Sequence, residues 1–196
     1  MPGKKTLSKT AIRKKILDFL NETAALPDTE TGPYRCGMIH RNALVLATSH
    51  KDVPRATALE FYNEGLNLYI LGGPGGKIAN IRRNPNVSAF IYEQPLDHSV
   101  FQRCLQIFGK AELITIKNNP RLFKTKMRKW NLYYVMKRLL EPMAQEKNLE
   151  GKEAEAFIKK LTEASSIIKI VPDHFILKEY PPNFTMNKYE WRKDTK

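Results

Sequence analysis

Apolar positions along the chain recur first at helical spacing and then switch to alternation. Over residues 6–25, Ile12, Ile16, Phe19 and Leu20 fall at i, i+4, i+7 and i+8, while Arg13, Lys14, Lys15 and Asp18 lie mostly elsewhere. That is one apolar stripe on an amphipathic helix. Pro27 and the TETGP run at 29–33 close it. A strand is predicted at 42–49, followed by the polar turn SHKDVP. In the next strand, 55–62, Arg55, Thr57, Leu59 and Phe61 alternate with Ala56, Ala58, Glu60 and Tyr62. Asn63-Glu64-Gly65 supplies a hairpin turn into a third strand, 66–71. Links this short favour an antiparallel meander, because parallel strands need a crossover of about a dozen residues.

The sequence GGPGG then opens a two-turn helix, KIANIRRN, that must stop before Pro85. Strands follow at 87–93 and 104–116, the second carrying Gly109 as a bulge or bend. The remainder is more helical. One helix is predicted over 118–141, from an Asn-Asn-Pro cap to Pro142, and another over 152–164. Residues 167–180 form a strand pair or one strand kinked at Pro172, and the aromatic-spaced tail wraps over a partner or stays disordered. The fold class is therefore α+β, mainly β, with a strand-dense middle that would lose its open edges by curling into a barrel.

Composition narrows the setting. The 196 residues suit one domain with additions. No apolar run approaches the roughly 20 residues of a membrane span, and charges interrupt every apolar stretch near the start, so neither a span nor a signal peptide is expected. Cys36 and Cys104 form no metal-ligand spacing and suggest reduced thiols in a cytoplasm. The net charge of +13 favours an anionic partner. Eight basic residues and no acidic one lie between Lys117 and Arg138. This run reads either as a solvated helix face or as a nucleic-acid-binding module, in which Trp130, Tyr133 and Tyr134 would stack bases. Those aromatics share the helix with Leu132, Val135 and Leu139, which favours packing against the barrel, so a nucleic-acid partner is not expected.

The glycine cluster is the most informative chemistry. Gly72-Gly73-Pro74-Gly75-Gly76-Lys77 fails the nucleotide P-loop pattern, because Leu71 stands where its first glycine belongs and Ile78 replaces the magnesium-binding hydroxyl. No βαβ context supports a dinucleotide fingerprint either. What survives is a phosphate cradle: bare glycine backbone at a helix N-terminus, with Lys77 beside it and Arg55 on an adjacent strand. The alternative is a tight strand-to-helix connection with a surface lysine. His40, His50, His98 and His174 are scattered in the sequence and match no metal motif. No nucleophile–base set can be assembled, which points to a cofactor that carries the reaction.

The ordered set PRATALEF at 54–61, LYILGGPGGKIANIRRNPNVSAF at 68–90 and RCLQIFGKAELI at 103–114 resembles the pyridoxamine 5′-phosphate oxidase-like, FMN-binding split-barrel family. The resemblance implies an antiparallel split β-barrel with peripheral helices and a cytoplasmic homodimer holding FMN at the subunit interface. It divides the chain into an N-terminal helix at 1–30, an FMN-binding barrel at 31–180 with a helical insertion at 117–165, and a tail at 181–196. It places Arg55, Ala56, Thr57 and Ala58 along the flavin and its phosphate tail, Gly75 at the cradle, and Lys77 as the phosphate-binding lysine. Leu71 falls where the oxidase has a threonine, Gly76 where it has an arginine, and Cys104 where it has a glutamine near the ring. The oxidase's Arg-x-His near the C-terminus is absent, so pyridoxine phosphate oxidation is not expected, and Trp191 with Arg192 would cap a neighbour's flavin. The implied function is FMN-dependent oxidoreduction of a small substrate. Related barrels hold haem or deazaflavin F420, and for haem His98 or His174 is the candidate axial ligand.

Overall fold

The computed structural model describes residues 7–25, 43–92, 101–182 and 185–194. Thirteen elements follow in order: α1 (Lys9–Thr23), β1 (Ala43–His50), β2 (Val53–Glu60), β3 (Tyr62–Glu64), β4 (Asn67–Gly72), α2 (Gly76–Arg83), β5 (Asn86–Tyr92), β6 (Gln102–Ile114), α3 (Pro120–Lys129), α4 (Leu132–Glu146), α5 (Gly151–Ala164), β7 (Ser166–Tyr180) and β8 (Asn187–Arg192). The strands form one antiparallel sheet in the order β2-β1-β5-β6-β7-β4-β3, with β8 added beside β7. The curled sheet and its helices make an α+β split barrel. Pro27, Cys36, His40, His98 and the TETGP turn lie outside the described residues.

Strand β7 organises the sheet. Its first part pairs with β4 through Ile167↔Leu71 and Ile170↔Leu68, its second part pairs with β8 through His174↔Arg192, and β6 runs along the whole of its other side. A proline is tolerated inside this long strand because Pro172 lies opposite Gly109, where the ladder shifts register. A β-carbon on Gly109 would sit 2.4 Å from the Val171 carbonyl oxygen, so only glycine permits that approach. The 167–180 segment is thus one irregular strand rather than a pair. The tail forms the ordered strand β8, neither loose nor disordered over 187–192.

The concave face holds the main core, with Leu44, Leu46, Ile70, Ile91, Leu105, Ile107, Ile168, Phe175 and Leu177 all at most 1% exposed. Helix α1 closes one end with Ile16, Phe19 and Leu20, as the apolar stripe predicts, and starts at Ser8, whose Oγ accepts from the Ala11 N–H. It is tied down by the Lys15–Glu179 and Arg103–Glu22 ion pairs, each 2.7 Å.

Three sequence expectations need correction. The strand expected over 55–62 divides at Phe61 into β2, which pairs with β1, and β3, which pairs with β4 at the other end of the strand order. The predicted hairpin turn moves one residue on, to Gly65-Leu66, with Gly65 at φ 58°. Glu64 thereby stays in β3. The single helix over 118–141 is two helices, α3 and α4, broken at Asn131 in the left-handed region (φ 51°), a conformation asparagine tolerates. Pro142 does not end α4 but lies inside it, at an exposed position.

The break seats Trp130 in a second core beneath the helical insertion. Its ring stacks on Tyr62 at 5.0 Å between centroids and lies beside Tyr69. Lys126 is buried there, its Nζ 4.6 Å from the centre of the Tyr69 ring and paired with Glu64, which also takes Lys129 at 2.6 Å. Burial, reinforced by Glu64, pushes the Tyr69 hydroxyl up to about 12. Trp130 is therefore packing against the barrel, with its face unavailable for base stacking.

Candidate functional site

Helix α2 is positioned by two asparagines. Asn80 Nδ2 donates to Thr48 Oγ1 at 3.2 Å, and Asn84 Nδ2 donates to the Ser49 carbonyl at 3.3 Å. Both contacts fasten the helix to the end of β1. Thr48 is the cross-strand partner of Arg55 on β2, so the same anchor places Arg55 beside the helix start.

There the guanidinium of Arg55 lies against Gly76. A β-carbon on Gly76 would stand 3.1 Å from Arg55 Nη1 and 3.3 Å from Cζ, so the missing side chain is the space Arg55 occupies. Gly75 precedes the helix at φ 148°, a region that L-residues rarely adopt, and no side chain caps the helix N-terminus. The first N–H groups of α2 are thus left for a ligand or solvent. Lys77 sits half-buried in the first turn. Burial and then the nearby Arg55 charge hold its amine below the usual lysine range. Neither cation has an acidic partner among the described residues.

Exposed Arg55, half-buried Lys77 and the uncapped N-terminus of α2 thus gather positive charge at one corner of the barrel. No cluster of histidine, cysteine or carboxylate side chains among the described residues is arranged to hold a metal ion.

The other residues singled out by sequence are spread over both faces of the sheet. Ala56 and Ala58 point to the convex face, where two cross-strand rows run unbroken. One reads Ala56–Ala47–Ser88–Phe108–His174–Arg192 and the other Ala58–Val45–Phe90–Gln106–Ile176–Glu190. Val45, Phe90 and Tyr92 on this face are 41%, 40% and 47% exposed. Thr57 shares the concave side with Arg55. Leu71 turns away from α2 toward the core beneath the helical insertion.

Cys104 is buried on the convex side between Tyr92 and Lys178. It lies four residues from Phe108, about 13 Å along β6, so within one chain it does not join Arg55 and Lys77. Burial raises its thiol pKa, an effect that Lys178 and a hydrogen bond with Tyr180 offset in part. Trp191 faces inward, with its ring 5.7 Å from Phe175 and Lys9 above it. His174 stacks on Phe108 at 5.1 Å, with Nε2 2.9 Å from Glu190 Oε1.

Sequence reasoning missed the service of Asn80 and Asn84 as anchors, although their spacing in the KIANIRRNP segment was the available signal. It also missed that Gly76 is the seat of Arg55, which only the pairing of β1 with β2 reveals.

The family model described as Pyridoxamine 5'-phosphate oxidase matches residues 34–157, more than half of the chain. Among solved structures, the fold is similar to that of PhzG from Burkholderia lata 383 in complex with tetrahydrophenazine-1-carboxylic acid, with TM-score 0.54 and 13% identity over 79% of this chain and 77% of that one. A FAD-binding protein from Mesorhizobium loti matches with TM-score 0.47 and 18% identity over 71% and 87% of the two chains. A heme binding protein from Mycobacterium smegmatis matches with TM-score 0.49 and 10% identity over 94% and 59%. No curated protein matches the chain.

Proposed function

This chain belongs to the pyridoxamine 5'-phosphate oxidase family, and from that premise we propose that it is an FMN-binding oxidoreductase of a small substrate. The observation that carries the reading is the convergence of Arg55 and Lys77 on the glycine-built start of α2. Two positive charges held together without a counter-charge cost stability, and a bound phosphate would repay that cost. The phosphate monoester of FMN has the right size and charge.

In this reading Arg55 and Lys77 donate to the phosphate oxygens, and the open N–H groups of α2 complete the shell. Asn80 and Asn84 keep the helix start in register with Arg55. Ala56 and Ala58 offer a flat, small-residue surface along which a planar ring can lie. The exposed apolar residues Val45, Phe90 and Tyr92 favour a second copy covering the convex face, which would exclude water from the ring. Cys104 and Trp191, remote from Arg55 in one chain, would reach a flavin only across such a dimer. When bound, FMN supplies the redox chemistry. A cytoplasmic setting agrees with Cys104 as a free buried thiol.

The test is the absorbance spectrum of freshly purified protein, followed by titration with FMN. A flavin spectrum, or saturable quenching of added FMN fluorescence, is expected. Colourless protein that leaves FMN fluorescence unchanged would overturn the assignment.

A further inference from the structure

The basic run between Lys117 and Arg138 plays no part in the flavin reading, and the structure sorts its members. Lys126 and Lys129 are spent on Glu64, Lys137 lies 3.7 Å from Glu141, and Arg138 donates to the Tyr134 hydroxyl at 2.9 Å. Lys117, Arg121, Lys124 and Arg128 remain, all exposed and without an acidic partner among the described residues. On α3, Arg121, Lys124 and Arg128 stand at i, i+3 and i+7, which places them along one face opposite the buried Phe123, Lys126 and Met127. They span roughly 10 Å of helix axis, with Lys117 just before the helix.

This is not the balanced surface of an ordinary solvated helix. Exposed Lys152, Lys159 and Lys160 on neighbouring α5 are interspersed with Glu153, Glu155 and Glu163, whereas α3 carries no acid. A rigid row of unneutralised cations attracts a polyanion.

We propose that the outer face of α3 docks on the phosphate backbone of duplex nucleic acid, without reading its sequence. Two observations select this partner. A membrane-surface helix needs apolar side chains to insert, and no large apolar residue of α3 is exposed. A single-strand binder needs open aromatic faces along the charged row, but Phe123 on α3 is 1% exposed and Trp130 at its end is 4% exposed and stacked on Tyr62, while the exposed Tyr133 lies on α4, beyond the break at Asn131. What is left is a row of charges suited to regularly spaced phosphates, contacts that position a duplex without specifying bases.

The experiment is fluorescence anisotropy with the full chain and a labelled random-sequence DNA duplex, from 50 to 200 mM salt. Three to four phosphate contacts predict a log–log salt slope of about −3, a loss of about 60-fold over that range. R121Q/K124Q/R128Q is expected to weaken binding at 50 mM salt by about tenfold or more and to flatten the slope. K152Q/K159Q/K160Q, which removes the same charge from α5, is expected to bind as the parent does. An unchanged thermal transition certifies both variants as folded. The proposal fails if the parent does not bind at 50 mM salt, or if the two triple variants lose affinity equally. Failure also follows if polyglutamate or phosphatidylserine vesicles bind the parent as tightly as the duplex, with the same dependence on α3.

Discussion

Arg55 and Gly76 share one space: the guanidinium on β2 lies where a side chain at the start of α2 would otherwise project, 3.1 Å from the ideal β-carbon position. Gly76→Ala therefore sets two effects against each other. Alanine in place of glycine in a helix gains up to about 1 kcal/mol of stability, yet the Arg55 guanidinium must give way slightly to admit the new methyl group. The expected result is an unchanged or higher melting temperature together with FMN affinity weakened by about 1 kcal/mol. A melting curve and a fluorescence titration on the same variant separate the two.

Removing either cation tests the phosphate site directly. Arg55→Ala and Lys77→Ala are each expected to weaken FMN binding by about 1.5–3 kcal/mol, the range for hydrogen bonds to charged groups. Quenching titrations measure both. Unchanged affinity in the pair would leave no phosphate role for this corner of the barrel.

Lys77 also predicts a pH dependence of ligand-free stability. Its folded pKa lies below the unfolded value, through burial first and Arg55 second. Between those two values the unfolded chain holds the proton and the folded chain has lost it, so stability rises with pH. The window lies just under the ordinary lysine value of about 10.4. Melting temperatures through that window should rise more steeply for the parent than for Lys77→Met. Saturating FMN should remove the difference, since a bound phosphate reverses the charge environment.

Glu64 gives a dependence of the same sign at the acid end, stability again rising with pH. Burial raises its pKa, but hydrogen bonds and charge from Lys126 and Lys129 outweigh that and hold it below the usual carboxylate range. Its stabilisation is present above the unfolded value of about 4.3 and is lost as pH falls through the folded one. Glu64→Gln leaves Lys126 buried without its counter-charge and should cost about 1–3 kcal/mol at pH 7. Denaturant midpoints of parent and variant should converge in strong acid.

Gly109→Ala should be among the most damaging single-methyl changes in the barrel, because backbone atoms of Val171 and Pro172 bound the site at 2.4 and 2.7 Å. Neither neighbour is a flexible side-chain end, so the strands must separate. A loss near the upper end of the roughly 1–3 kcal/mol typical of overpacking is expected, read from denaturant unfolding.

These cases also mark what could be read before folding. The α1 stripe, the alternation from Arg55 to Glu60 in β2, and the glycine-to-proline bounds of α2 are local patterns, and each appears close to where its residues place it. The break at Asn131 was invisible because apolar spacing continues across it, and what ends α3 there is tertiary: Trp130 docks on Tyr62. Pro142 misled for the converse reason, since an exposed helix side can absorb one lost hydrogen bond. At the site, Lys77 and the glycines declared themselves as a motif. The seat of Arg55 did not, because it depends on a β1–β2 register and on two asparagine anchors that no spacing rule announces. Cys104 and Trp191 were drawn from resemblance alone, and one chain does not bring them to the cradle.

The double pairing of β7 governs how this protein must be made. Strand β4, finished by residue 72, finds its central neighbour only in Ile167–Ile170, almost a hundred residues later in the chain. During synthesis, the glycine turn at the end of β4, proposed above as a phosphate cradle, would therefore exist as peptide long before the sheet that steadies it, with the edge of Leu68–Gly72 open to any strand nearby. A nascent chain interrupted before residue 166 would hold every residue of the cradle and lack the strand that holds it in place, so a truncation there should yield aggregation rather than a smaller flavin binder.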